Sequence, residues 1–335
     1  MASSNEHIPS SIYLVDYFIY CPLFCEKEGQ EARKILYYYP SDTEIDRQIR
    51  TVGYCEGLVE FTETFAFDDP CESIHFQKSR LLFYQVENDI CLAMTLYVPV
   101  IKQKKDDKTI TEYYDEHIND RLMLTILKMS YEYFVLQYGT MSTLIHRNSV
   151  DELRYILKFI QYHIHNMIRD VTIDSSYFGI QYLAIDRRFV FKFQTILRRF
   201  QLHLPSIKEM IFIYRDQLIW SGLNQDDTIT IYSFFRLYYW PHIKNLSHTT
   251  NIRSNRELTS PANHLTNTLA EDVQWFHPTG EIMVKRENDP WIIAKRSDMR
   301  ELLVIVNQKS ANLKEISDKI KQIFSTQFNN ILLLE

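Results

Sequence analysis

Residues 43–65 read as one helix, yet their apolar positions fall into two sectors on nearly opposite sides. At roughly 100° per residue, Ile45, Ile49, Val52 and Val59 gather within roughly 80° of arc, while Tyr54, Leu58, Phe61 and Phe65 gather opposite them. A surface helix needs one such stripe. This one has apolar side chains for two neighbours, which are either two layers of one large domain or its own domain and a second chain. Gly53 and Gly57, four residues apart between the sectors, leave room for a close backbone. Glu56, Glu60 and Glu63 keep part of the helix wet, and Pro40-Ser41-Asp42 supplies a start signal.

Around this helix the pattern predicts an α+β fold with antiparallel sheets. Strand-like runs cover 12–20 and 34–39, separated by a polar loop with Glu26, Lys27, Glu28 and Gly29; further strands lie near 72–77, 80–86 and 90–101. A helix over about 116–138 places Ile118, Leu122, Thr125, Met129, Tyr133 and Leu136 on one face. Two strands, a helix, three strands and a helix make a first domain over 10–142.

A second α+β domain over 143–243 follows. It begins with an amphipathic helix over 151–169, whose stripe is Leu153, Ile156, Leu157, Ile160, Ile164, Met167 and Ile168. A strand near 178–185 leads into a helix over 187–203 carrying Phe189, Phe193, Ile196, Leu197 and Phe200. A hairpin then pairs 209–214 with 218–220, its Leu218 and Trp220 reading as core, and a helix spans 226–238. Residues 244–280, rich in Asn, Ser, Thr and His, read as a linker. Beyond them, 281–335 holds strands near 281–286, 291–295 and 301–306, a helix over 312–324 and a last strand at 331–334. So thin a unit needs neighbours to cover its sheet.

Composition narrows the function. The 335 residues are 45% hydrophobic and 24% charged, a globular balance, and the 14% aromatic content suits large contact surfaces. A net charge of −6 argues against nucleic acid, which needs clustered cations. The dense basic patch at Lys102, Lys104, Lys105 and Lys108 is interrupted by Asp106 and Asp107 and reads as a solvated hairpin tip. The start Met1-Ala2-Ser3-Ser4-Asn5-Glu6 lacks the features of a signal peptide, and the apolar run 90–101 is too short and broken to span a bilayer. A soluble, cytosolic chain is expected. Its five scattered cysteines are expected to be reduced thiols.

The residue patterns give no reaction centre. With seven glycines there is no phosphate loop and no dinucleotide-binding turn, and neither a nucleophile elbow nor a zinc-binding His pair occurs. Cys21 and Cys25 lack companion ligands for a metal, and His163 and His165 point to different helix faces. Asp226 and Asp227 open a helix, where carboxylates serve the exposed N–H groups and the dipole. No cofactor, metal or catalytic residue is predicted.

Several blocks carry a family resemblance. Phe18-Ile19-Tyr20-Cys21-Pro22, Glu28-Gly29-Gln30-Glu31, Lys34-Ile35-Leu36-Tyr37-Tyr38, Ile49-Arg50-Thr51-Val52-Gly53, Cys55-Glu56 and Phe61-Thr62-Glu63-Thr64-Phe65 resemble the first longin domain of the Ccz-one subunit of the Mon-one/Ccz-one complex. So do Gln77-Lys78-Ser79-Arg80, the run from Asp216 to Asp227, Lys295-Arg296-Ser297-Asp298, the run from Asn307 to Leu313, and Thr326-Gln327-Phe328-Asn329-Asn330. The blocks occur in the same order along the whole chain.

The resemblance implies tandem longin domains, antiparallel sheets flanked by helices, and a subunit of a guanine nucleotide exchange factor for a Rab-seven type GTPase. It implies an obligate heterodimer with a Mon-one subunit, a third regulatory subunit, and peripheral association of a cytoplasmic complex with late endosomal, lysosomal or vacuolar membrane. In the family the first longin domains pair into the platform that holds the GTPase. On that basis the partner- or GTPase-binding residues expected here are Ile45, Arg47, Ile49, Arg50, Val52, Gly53, Tyr54, Glu56, Gly57, Leu58 and Phe61, with either apolar sector facing the partner. The other function class is a longin-type adaptor or tether that pairs without promoting exchange. One departure stands out: between Ile243 and Gly280 the chain lacks about a hundred residues, a small domain's worth. Its third longin domain, 281–335, is expected to be partial, with its strands either completed by the second domain or left with an open edge.

Overall fold

A computed structural model of the chain describes residues 12–65, 71–105, 108–113, 118–147, 150–171, 179–184, 187–203, 205, 207–214, 216–239, 281–284, 291–297 and 300–306. It divides into two units, residues 1–175 and 176–335. The predicted helix 312–324 and strand 331–334 lie outside the described residues.

The first unit is built on a five-stranded antiparallel sheet. Its strands are β1 (Tyr13–Tyr20), β2 (Ile35–Tyr39), β3 (Ser73–His75), β4 (Ser79–Glu87) and β5 (Ile90–Tyr97), in the spatial order β2-β1-β5-β4-β3. The inner strands β1, β5 and β4 read as long apolar runs because both faces are covered. Phe18 and Tyr20 face helix α1 (Ile45–Glu63). On the opposite face the Tyr37 hydroxyl donates to Gln161 of helix α4 (Val150–Val171), 2.9 Å away, and helix α2 (Asp120–Tyr138) packs on β4.

The predicted run 90–101 divides at Val98 and Pro99, and β6 (Val100–Lys105) pairs with β7 (Lys108–Tyr113) as a separate hairpin. Asn119 caps α2 by accepting from the Leu122 amide, and Gly139, at φ +84°, ends it. Most of the circumference of α2 is buried, a wider face than the predicted stripe, because α4 covers the side that the sheet does not. Between them a short helix α3 (Met141–Arg147), unpredicted, has its first amides, Met141 and Ser142, bonded to Glu87 at 2.6 and 3.0 Å.

The stripe of α4 is buried largely as its period requires: Leu153, Leu157, Ile160, Ile164, Met167 and Ile168 all face inward. The partner differs from expectation. This helix packs on α2, β1 and β2, so it belongs to the first unit, and the boundary expected at 143 moves to about 175. His163 is buried with it, its ring edge-on to Phe159, Tyr162 and Tyr133, and burial depresses its pKa to about 3.

In the second unit, among the described residues 179–184 of the strand predicted near 178–185, there is a single bridge, between Tyr182 and Leu218. Helix α5 (Arg187–His203) packs on the hairpin of β8 (Ile207–Tyr214) and β9 (Gln217–Ser221), which turns through Asp216 at φ 64°. Met210, Ile211, Phe212 and Ile213 are buried in succession, the mark of a central strand covered on both faces. Leu218 is core as expected and Trp220 is half-buried. Helix α6 (Gln225–Phe234) is capped by Asn224, with Asp226 and Asp227 in its first turn.

The remaining strands, β10 (Glu281–Val284), β11 (Trp291–Ser297) and β12 (Arg300–Val306), do not form a sheet of their own. β12 pairs antiparallel with β8 over its whole length, from Arg300 opposite Tyr214 to Val306 opposite Ile207. The result is one sheet in the order β10-β11-β12-β8-β9. Of the two arrangements expected for the strands of 281–335, the described ones take the first, pairing with the second unit's hairpin through β8. The physical reason is that β8, whose Met210 to Ile213 are buried in succession, would otherwise leave a row of unpaired backbone groups along one edge.

Candidate functional site

The outer surface of the first unit is set by how α1 lies on its sheet. Val52 and Cys55 enter one core cluster with Phe18, Tyr20, Tyr38, Leu81, Phe83 and Ala93, and Ile49, Leu58 and Val59 pack at its margin. Each fully buried apolar side chain stabilises the contact by about 1.5–3 kcal/mol. The Ile/Val sector is therefore the inward one, and Val52, 2% exposed, serves the domain's own core and not a partner. Ile49 and Leu58 also pack inward, so neither is a clean probe of partner binding.

Polar contacts fix the helix along its length. Lys34 Nζ donates to both carboxylate oxygens of Glu56, at 2.8 and 2.7 Å. Burial opposes the charge on Lys34, but Glu56 outweighs it and raises the pKa. Asp16, a buried carboxylate, accepts from the Tyr38 hydroxyl at 3.0 Å and has the Arg47 guanidinium at 3.6 Å. Glu56 and Arg47, both expected at the partner surface, thus help to seat α1 on its own sheet.

What remains outward is a stripe. Arg50, Gly53, Tyr54, Gly57 and Phe61 follow at helical spacing and are all exposed, Tyr54 at 54% and Phe61 at 60%. Phe65, just past the helix, is 77% exposed, and its ring meets that of Phe61 edge-on at 4.9 Å. Ile45 is exposed in the first turn. A Cβ placed on Gly53 or Gly57 would meet no atom of the described residues within 4 Å, so nothing among them requires these glycines. Each costs the helix about 1 kcal/mol relative to Ala.

Cys55 carried the signal that sequence reasoning missed. Cysteine is among the residues most often fully buried, and Cys55 falls on the Val52–Val59 side. Burial pushes its thiol up to about 12 and raises Cys21 and Cys91 as well. These are packed thiols, and the thiolate needed for nucleophilic or metal chemistry is disfavoured.

A second polar cluster closes the far edge of the sheet. Ser73 Oγ donates to Asp120 Oδ2 at 2.7 Å, His75 Nε2 lies 2.7 Å from the same oxygen, and Arg80 pairs with Oδ1. Burial opposes the Asp120 charge, yet these partners outweigh it and hold the carboxyl below its usual value. The cluster latches the short edge strand β3 and its neighbour β4 to the start of α2. It gave no sequence signal, because Asp120 lies 40 to 47 residues from Ser73, His75 and Arg80.

Comparison with known proteins matches this architecture. The model of the first longin domain of INTU, CCZ1 and HPS4 fits residues 14–139, and that of INTU longin-like domain 3 fits 241–323. The second match takes in β10–β12, the strands that here complete the sheet of β8 and β9. The chain is 26% identical to the vacuolar fusion protein CCZ1 homolog of Nematostella vectensis over 454 aligned residues, covering 96% of this chain and 98% of the relative. It is 27% identical to that of Tetraodon nigroviridis over 476, covering 100% and 98%. For the Dictyostelium discoideum homolog the figures are 30% over 224, with 65% and 50% covered. Because the first two alignments far exceed the 335 residues of the chain, more than a quarter of their positions have no counterpart here. The chain thus carries a longin domain of the kind that comes first in INTU, CCZ1 and HPS4, and along nearly its whole length it is similar to the vacuolar fusion protein CCZ1 homologs.

Proposed function

We propose that this chain is a subunit of a heterodimeric guanine nucleotide exchange factor acting on a Rab-seven type GTPase in endosome-to-lysosome or vacuole trafficking and membrane fusion. The observation that carries the reading is the outward face of α1. Tyr54 and Phe61 stand in solvent beside Gly53 and Gly57, so large aromatic anchors flank a strip where a second backbone fits. A Mon-one subunit is the partner for this face, and the paired longin domains form the platform for the GTPase. Exchange needs no covalent chemistry. The complex binds the nucleotide-free GTPase more tightly than the loaded one, and that difference in affinity drives nucleotide release. The absence of a catalytic motif in the sequence is compatible with this.

The second reading, an adaptor or tether that pairs without promoting exchange, is favoured by the many positions of the relatives that have no counterpart here. Release of fluorescent GDP from the GTPase separates the two. The chain, its sister subunit and the pair are tested in turn. Stimulation by the pair alone supports the exchange factor; stable pairing with no stimulation leaves the adaptor.

A further inference from the structure

Helix α5 is unlike the rest of this acidic chain. Between Arg187 and His203 it holds Arg187, Arg188, Lys192, Arg198 and Arg199 and not one Asp or Glu, whereas the whole chain has a net charge of −6. Its outer face, turned away from β8 and β9, presents Phe191, Lys192, Thr195, Arg198, Arg199 and Leu202, all exposed.

The order of these residues around the helix is informative. Phe191, Thr195 and Leu202 fall along one line, with Arg198 on one flank and Lys192 and Arg199 on the other, each within roughly 80° of it. Phe191 is 56% exposed and Leu202 77%, so most of their apolar surface is not used by the domain. An acidic protein segment would pair with the cations and leave this central line in water. A bilayer uses both features: apolar side chains enter the boundary between headgroups and acyl chains, while flanking cations meet lipid phosphates. Seventeen residues of helix lying flat give a contact about 25 Å long.

We propose that the outer face of α5 is a contact surface for anionic membranes, with Arg198, Arg199 and Lys192 as the charge-bearing groups and Phe191 and Leu202 as the inserting ones. The proposal deepens the membrane association contained in the exchange-factor reading, but it is measured without a GTPase.

The test is cosedimentation of the full chain with phosphatidylcholine vesicles, with and without phosphatidylserine or a phosphoinositide, at low and high salt. Binding to anionic and not to neutral vesicles is expected. Arg198→Glu with Arg199→Glu should lower it by at least roughly 25-fold, about fivefold per cation lost. Phe191→Ser with Leu202→Ser should lower it severalfold at both salt concentrations. Reversal of the other basic cluster, Lys102→Glu, Lys104→Glu and Lys105→Glu, should leave it unchanged. Equal binding to neutral vesicles, loss of binding in the hairpin variant alone, or α5-dependent capture of polyglutamate with no vesicle binding each overturns the proposal. GDP release measured in solution without vesicles should be indifferent to the α5 substitutions, which separates failure of this proposal from failure of the exchange-factor reading.

Discussion

Two substitutions on one helix should have opposite effects. Phe61 is 60% exposed on the outward side of α1, and Val52 is 2% exposed on the inward side. An aromatic side chain offers about 200 Å² for burial, so about 120 Å² of Phe61 is left for a partner. At about 25 cal/mol/Å² that area contributes about 3 kcal/mol, more than a hundredfold in Kd, when a partner covers it. Phe61→Ala should therefore weaken binding to the sister subunit by up to about a hundredfold while changing domain stability by less than about 0.5 kcal/mol. Val52→Ala removes two methyl groups from a packed site and leaves a cavity, at about 2–3 kcal/mol. In a unit of this size that lowers Tm by roughly 5–10 °C, with partner affinity unchanged at temperatures where the domain is folded. Titration calorimetry with the sister subunit and thermal melts of both variants read the two effects. If Phe61→Ala lowers Tm as much as Val52→Ala does and leaves binding intact, the outward stripe belongs to the fold and the reasoning fails.

Gly53→Ala should stabilise the chain by up to about 1 kcal/mol, since its new Cβ meets none of the described residues within 4 Å, yet weaken pairing where a partner backbone occupies that space; melts and binding titrations move in opposite directions, and unchanged pairing would refute the close approach. Gly222→Ala is the contrasting case, because its Cβ would collide with Glu209 Oε2 and lie 2.9 Å from the Trp220 ring. It should destabilise the second unit by about 1–3 kcal/mol, read by denaturant melts of the full chain. Buried His163 adds a pH dependence. With its pKa at about 3 in the folded protein, against about 6.5 unfolded, only the unfolded chain takes up the proton between those values. Stability should fall as pH drops through that window, by roughly 2 kcal/mol at about pH 5, and His163→Phe should remove this part of the slope in melts at about pH 7 and 5.

Much of the fold was legible because the signals are local. The helices at α1, α2, α4 and α5 and the hairpin of β8 and β9 each carry their period, caps or turn within the segment itself. The candidate site was legible in outline: the sequence marked α1 as a helix with apolar residues to spare and flagged Tyr54, Phe61, Gly53 and Gly57. It could not say that Glu56 would be occupied by Lys34, or Arg47 by Asp16, because those partners lie on other elements.

The sequence by itself determined the α+β class, the amphipathic faces, the longin resemblance, and the surplus of apolar side chains on α1. Tertiary structure decided which surplus is spare. Two opposed sectors are equivalent in helical periodicity, and only the sheet beneath, with Phe18, Tyr20 and Phe83 receiving Val52 and Cys55, breaks the tie. It also decided that α4 joins the first sheet and that β12 joins β8 across about a hundred residues of chain, from Ile207 to Val306. An apolar stripe states that a surface must be covered, and a strand that its backbone must be paired. Neither names the partner, because burial and backbone hydrogen bonding are satisfied by any surface or edge that geometry brings close.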